Sequence, residues 1–232
     1  MRHTVECSVS ASVSCMDLCN LWQDMHTVEQ SRVAFYHFDV VDGEFNHCMI
    51  LGTPTLAAMR KKTALPIEVH LAAYRPERFV EQFIGEGADY IAVHYEAMEQ
   101  PVKLFEQIRK LGAVPVLAYR AETAPGDDFS ELAKHVPWVL KLTVNPGFSG
   151  QKMQPVSLLH IAKMRQMILE AKLDTGIQAD GNMNLATIPE AANAGANIYT
   201  GGTSGLFRGP KSVGENARNL LNCAEIEWQK RR

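Results

Sequence analysis

The chain has 232 residues, a formal net charge of −3, 46% hydrophobic and 21% charged residues, an ordinary globular balance with apolar content for one large core or two small ones. The weakly acidic balance, with no basic run beyond a Lys-Arg-Arg tail, argues against nucleic acid as a partner, and no stretch approaches the roughly 20 apolar residues of a membrane helix. Arg2, Glu6 and Asp17 leave the N-terminal stretch without a secretory pattern, and five cysteines with no Cys-x-x-Cys pair fit reduced thiols in a cytoplasmic protein better than a disulfide scaffold.

Short apolar runs alternate with longer amphipathic ones along the whole chain. The first run, 4–9 (TVECSV), reads as a strand, and Asp17 opens a helical stretch over 17–30. A strand at 33–40 (VAFYHFDV) precedes a helix at 53–62, and a strand at 66–71 (PIEVHL) precedes one at 76–86 that starts on Pro76. The pattern continues with strand 89–94 and helix 99–111, then strand 114–119 and helix 128–134. Strand 138–144 and helix 154–172 follow, then strand 175–179 and helix 185–194, and last strand 197–201 and helix 212–228. Three helices stop at Gly-Ala just before a strand: Gly87-Ala88, Gly112-Ala113 and Gly195-Ala196. Glycine there supplies the left-handed exit from a helix, and the recurrence reads as a weak internal repeat of an αβ unit. Eight such units in a chain of this length predict an α/β protein, a single-domain (β/α)8 TIM barrel over 1–232. The rival is a doubly wound open sheet, weakened by the lack of a Gly-x-Gly-x-x-Gly after the first strand.

In such a barrel, chemistry sits at the C-terminal ends of the strands. His37 and Asp39 are two residues apart and share one face of the second strand. His70 closes the third and Asp180 the seventh. A lone strand histidine is more often a hydrogen-bonded core residue, and a strand-end aspartate is more often a turn residue, as Asp42 before Gly43 reads. His94 fits a structural role equally well. The coincidence of His37, Asp39, His70 and Asp180 at one end of the barrel points instead to one divalent metal ion, zinc, iron, manganese or cobalt.

Two glycine-rich loops follow late strands, 143–151 (TVNPGFSGQ) and 200–207 (TGGTSGLF), where Leu206-Phe207 is expected to open a short helix. Small residues let backbone N–H groups approach a phosphate. Neither loop has an obvious dedicated Lys or Arg, so backbone donors would do most of the binding.

Together these residues resemble the ribulose-phosphate 3-epimerase family. The family pattern His-x-Asp-x-Met-Asp-Gly-x-Phe is similar to His37–Phe45, Val-His-Leu to Val69–Leu71, and Val-His-x-Glu to Val93–Glu96. Pro-Gly-Phe-x-Gly-Gln is present as Pro146–Gln151, and the Asp-Gly of the seventh strand as Asp180-Gly181. "SCMDL" at 14–18 and "GTSGLF" at 202–207 resemble the allulose-6-phosphate 3-epimerase branch, whereas Asn145 looks like the ribulose branch. The resemblance implies a (β/α)8 barrel that inverts C3 of a ketose phosphate, D-allulose 6-phosphate or D-ribulose 5-phosphate, through an enediolate. It implies a metal held by His37, Asp39, His70 and Asp180, with Asp39 and Asp180 as the acid/base pair. Substrate contacts carried over are Ser12 and His70, the loop Gly147, Phe148, Ser149 and Gly150, then Gly181 and Asn182, and finally Gly202, Thr203 and Ser204. The expected partner is a phosphorylated ketose, with neither nucleic acid nor membrane, in a homo-oligomer.

The departures fall around the pocket. The family's methionines are Val41 and Ala72 here, which suggests a wider pocket; Ser-Pro-Ser is Ser10-Ala11-Ser12, and Val-Pro-Asn after Phe45 is Asn46-His47-Cys48. No metal or acid/base position changes. Alternatives are a sugar-phosphate lyase or decarboxylase on the same fold, disfavoured because "DVVDG" lacks a lysine after its acid, and a non-catalytic sugar-phosphate-binding barrel.

Overall fold

The computed structural model describes residues 7–209 and 212–230. Its strands and helices alternate strictly: β1 (Ser8–Ser12), α1 (Leu21–Glu29), β2 (Phe35–Val41), α2 (Thr53–Arg60), β3 (Ile67–Ala72), α3 (Val80–Gly85), β4 (Tyr90–His94) and α4 (Pro101–Lys110). The second half repeats the order: β5 (Val114–Tyr119), α5 (Phe129–Ala133), β6 (Trp138–Leu142), α6 (Pro155–Glu170), β7 (Gly176–Asp180), α7 (Thr187–Ala194), β8 (Ile198–Gly201) and α8 (Val213–Gln229). All eight strands are parallel, each pairs with its chain neighbour, and β8 closes on β1 with Ser8 opposite Ile198. Closure rules out the open-sheet rival, because neither β1 nor β8 is left as an edge.

The three Gly-Ala exits behave as expected. Gly87, Gly112 and Gly195 have φ of 104°, 99° and 127°. The amide of each following alanine donates back into the last turn, to Phe83, Ile108 and Ala191, the bond that closes a left-handed helix terminus.

Five expectations change, the first being that α1 starts at Leu21 after Asn20 rather than at Asp17. β1 lies at Ser8–Ser12 rather than 4–9, and positions 4–6 lie outside the described residues. The apolar alternation of Val5, Cys7 and Val9 pointed upstream, but pairing with β2 and β8 selects a stretch whose serines enter the barrel. The 76–86 helix is split into a single 3-10 turn at Pro76–Arg78 and α3, with Arg75 in the left-handed region at φ 54°. Leu206-Phe207 opens no helix; the amides of Gly205 and Phe207 both donate to the Gly202 carbonyl, closing a compact turn. The β6 strand ends at Leu142, two residues early, where the Thr143 amide turns to the Asp180 carbonyl.

Period-two alternation sorts each strand into two cores. One face, including Val9, Ala11, Tyr36, Phe38, Val69 and Leu71, packs under the helices. The other fills the barrel. Phe35, Trp138 and Tyr90 stack at its base, with the Phe35 and Trp138 rings 5.6 Å apart. Above them lies a buried polar layer of Glu68, Gln178, His37, Thr200 and Ser10. The mouth lies above that layer.

Candidate active site

The strand-end residues picked from the sequence do converge. His37 and Asp39 on β2, His70 on β3 and Asp180 on β7 each present one ligand atom, all within 4.8 Å of one another. His37 Nε2 is 2.9 Å from Asp39 Oδ1 and 3.4 Å from Asp180 Oδ2, and His70 Nδ1 is 3.1 Å from Asp39 Oδ1. Register explains the meeting: Asp39 lies directly opposite His70 in the β2–β3 ladder.

Two carboxylates in so small a space draw positive charge. Burial alone would push the His37 imidazole down, but Asp39 and Asp180 outweigh it and hold the group well above its usual range. Burial likewise raises the Asp39 carboxyl, and His37 and His70 outweigh that, holding it well below the usual carboxylate range. Two ring nitrogens and two carboxylate oxygens form a donor set that fits a divalent cation of the zinc, iron, manganese or cobalt type. The second oxygen of Asp39 faces away from the cluster and accepts the Ser14 hydroxyl at 2.8 Å and the Ser12 hydroxyl at 3.2 Å.

Beneath the cluster, Glu68 is fully buried and points the same way as His70, two residues on. It accepts Trp138 Nε1–H at 2.9 Å and Gln178 Nε2–H at 2.8 Å, and lies 2.6 Å from His37 Nδ1. That bond commits Nδ1 of His37 and leaves Nε2 toward the acids. On the other side, His94 at the end of β4 is fully buried against His70. Burial pushes its imidazole down to about 4, with His70 and Arg120 adding to the effect and Glu96 opposing it. Burial raises Glu96, but His94 and the Arg120 amide hold its carboxyl down at about 2. Phe45 covers this edge, its ring 4.6 Å from that of His94 and 3.7 Å from the Arg120 guanidinium carbon.

Above the cluster opens a cavity of about 290 Å³. Ser12, Asp39, His70, Asp180, Gly181 and Asn182 line it from the strand ends. Gly147–Gly150 and Gly202–Ser204 line it from the two late loops, while His37 lies in the buried floor. The 143–151 loop is clamped by side-chain amides. Gln151 Nε2 donates to the Asn145 and Phe148 carbonyls at 2.7 and 2.8 Å, and Asn46 Nδ2 donates to the Pro146 carbonyl. Gly147 has φ 94°, and a Cβ there would collide with Cys48 Sγ. The departures Asn46 and Cys48 therefore pack against this loop. Phe148 is exposed, and no Lys or Arg lines the cavity among the described residues.

Val41 and Ala72, from which a wider pocket was expected, do not line the cavity. Both are buried in a small cluster with Phe45, against which Cys48, Ile50 and Ala97 pack. The chain after β2 folds back, with Asp42 bridged to Met49 and the Ile50 amide on the Val41 carbonyl. Ile50 and, from β6, Leu142 then form the apolar wall of the cavity. Asp42 is the turn residue expected, accepting the Glu44, Phe45 and Tyr74 amides. Buried Lys141 alternates with Leu140 and Leu142, so it faces away from the cavity. Its Nζ donates to the Arg120 and Thr123 carbonyls.

Ser14, Ile50, Leu142 and Glu68 are site residues that the sequence reading passed over. Glu68 alone had a signal, a charge two residues before His70 in a core strand; the others depend on loop folding.

A closed parallel barrel whose strand ends gather two imidazoles and two acids beneath glycine loops has the site placement of barrel enzymes. A family model, the Ribulose-phosphate 3 epimerase family, matches residues 8–207. The chain is 36% identical over 216 residues to a ribulose-phosphate 3-epimerase of Methanocaldococcus jannaschii, covering 93% of this chain and 90% of that one. It is 34% identical over 207 residues to a ribulose-phosphate 3-epimerase of Eremothecium gossypii, covering 84% of each. The chain belongs to the ribulose-phosphate 3-epimerase family and is an enzyme of the epimerase type. Its fold is also similar to the crystal structure of a 3-keto-L-gulonate-6-phosphate decarboxylase from Vibrio cholerae, with a TM-score of 0.68 at 9% identity over 97% of this chain and 100% of that one.

Proposed function

We propose that the protein inverts C3 of a phosphorylated ketose, with Asp39 and Asp180 exchanging one proton across the sugar. The observation that carries this reading is the convergence of those two acids with His37 and His70, from β2, β3 and β7, at the floor of a cavity bordered by two glycine loops. The C3 proton is acidic because it lies alpha to the C2 carbonyl. One carboxylate removes it from one face, the C2–C3 unit becomes an enediolate, and the protonated partner returns a proton on the opposite face. Each turnover thus begins with one acid ionised and the other protonated. Ser12 and Ser14 hold the Asp39 oxygen that is free to act. A divalent cation held by His37, Asp39, His70 and Asp180 would supply the positive charge that stabilises the enediolate oxygens. The amides of Gly147–Gly150 and Gly202–Ser204 would bind the phosphate and orient C3 between the acids.

D-Ribulose 5-phosphate is the proposed substrate, because the relatives cited above act on ribulose phosphate by name. D-Allulose 6-phosphate is the second reading, motivated by "SCMDL" and "GTSGLF". Side-by-side assay of the metal-loaded protein on the two sugars separates them; turnover of neither ends the proposal. For the mechanism, Asp180→Asn should slow epimerisation about 10²–10⁴-fold while Asp39 still exchanges one C3 proton with deuterated water. Normal epimerisation by Asp180→Asn would exclude the two-acid mechanism.

A further inference from the structure

The loop after β6 has one tether. Its own hydrogen bonds are local: Gln151 Nε2 donates to the Asn145 and Phe148 carbonyls, and Gln154 Nε2 donates to Asn145 Oδ1 at 3.1 Å. Among the described residues, the one hydrogen bond that ties residues 145–151 to another part of the barrel runs from Asn46 Nδ2 to the Pro146 carbonyl. That tether is aimed. The His47 amide donates to Asn46 Oδ1 at 3.0 Å, which leaves Nδ2 as the end facing Pro146. Arg120 holds the residue before it, donating to the Phe45 carbonyl at 2.8 Å with its guanidinium carbon 3.7 Å from the centre of the Phe45 ring. Neither Asn46 nor Arg120 lines the cavity, whereas Pro146 and Gly147 do.

Pro146 and Gly147 form the corner of a turn, and Gly147 has φ 94°, the type II form. The type I form needs a φ of about −90° at the same place and differs by a flip of the peptide between the two corner residues. Glycine accepts either sign of φ, so a Pro-Gly corner by itself chooses neither form. The Pro146–Gly147 peptide is trans, and a trans peptide points its C=O and N–H in opposite directions. Holding the Pro146 carbonyl at Asn46 therefore turns the Gly147 N–H away from Asn46. We infer that Asn46 is a positioning residue that selects this turn, so that the Gly147 N–H is offered to the substrate phosphate. This rests on the reading of the two glycine loops as the phosphate site. Position 46 is asparagine where the family pattern has valine, a side chain with no donor for the task.

The test uses the full-length protein, ¹⁵N-labelled, with inorganic phosphate as the probe. In the wild type, phosphate should shift the amide resonances of Gly147, Gly202 and Thr203. Asn46→Leu keeps the bulk and removes the donor; Asn46→Ala serves where leucine does not fit. Either variant should bind phosphate about 10-fold more weakly, with circular dichroism unchanged. At saturating phosphate the Gly147 amide should no longer respond, while Gly202 and Thr203 still do. In the metal-loaded variants KM for D-ribulose 5-phosphate should rise by a similar factor with kcat kept. A Gly147 amide that responds in both variants as it does in the wild type overturns the role of Asn46, and so does a fall in kcat at unchanged KM. A wild type whose loop amides ignore phosphate overturns the phosphate reading of the loops instead.

Discussion

The two walls of the cavity are built from different materials. The part built by β2, β3 and β4, with Asp180 added from β7, is made of side chains rooted in strands, with charges set into a barrel interior and every imidazole backed by a second polar group. The wall formed by the loops after β6 and β8 is backbone, shaped by glycines and held in place by the amides of Asn46 and Gln151. A strand side chain has one direction, fixed by the pleat and the ladder, so it places charge accurately. A loop offers many amides at once but must be clamped. The first wall suits bond-making and the second suits anchorage.

That contrast can be broken at its strongest point. Glu68→Ala would leave Trp138 Nε1, Gln178 Nε2 and the His37 ring without their buried acceptor, and should cost about 3–5 kcal/mol in urea unfolding. A loss below about 1 kcal/mol would mean that the polar layer is not what supports the acids. On the opposite wall, Gly147→Ala forces a positive φ on a residue with a Cβ and pushes that Cβ into Cys48. It should cost about 1–3 kcal/mol and raise KM for the sugar phosphate more than it lowers kcat. Cys48→Ala in the same protein should recover the part due to collision and not the part due to φ. A fall in kcat with unchanged KM would erase the division of labour between the walls.

The smallest expected effect is in acid. The Glu96 carboxyl is held at about 2 when folded, against 4.5 ordinarily. A depressed acid contributes stability that is fully present above its unfolded value and is lost as pH falls toward the folded one. Wild-type Tm should therefore fall between about pH 4.5 and pH 2 by more than that of Glu96→Gln, compared in metal-free protein by calorimetry. Equal slopes would show that Glu96 is not held ionised by its neighbours.

The barrel was legible because each βα unit repeats the same signals: an apolar run, an amphipathic run, and a glycine exit at Gly87, Gly112 and Gly195. The four-residue cluster was legible because polar residues in core strands are costly and stand out against the period-two pattern, as His37 and Asp39 do in "FYHFDVV". The β1 position was misplaced because "SVSAS" has weak strand character by itself and becomes a strand through its neighbours. Which residues line the pocket wall was not legible for a related reason. Residues 42–50 fold back so that Ile50 packs on Val41 and Ala72 and lines the cavity in their place, a consequence that no local spacing encodes.

Alternation, helix exits and the identities of the strand-end residues are properties of short segments, so the sequence alone set the (β/α)8 order and the residues at the mouth. Only the closed barrel decided which nitrogen of each imidazole faces the acids, because that depends on Glu68, His94 and Glu96 meeting His37 and His70 across strand ladders. The direction of a ring follows from its neighbours in space, and those neighbours exist only once the sheet has closed.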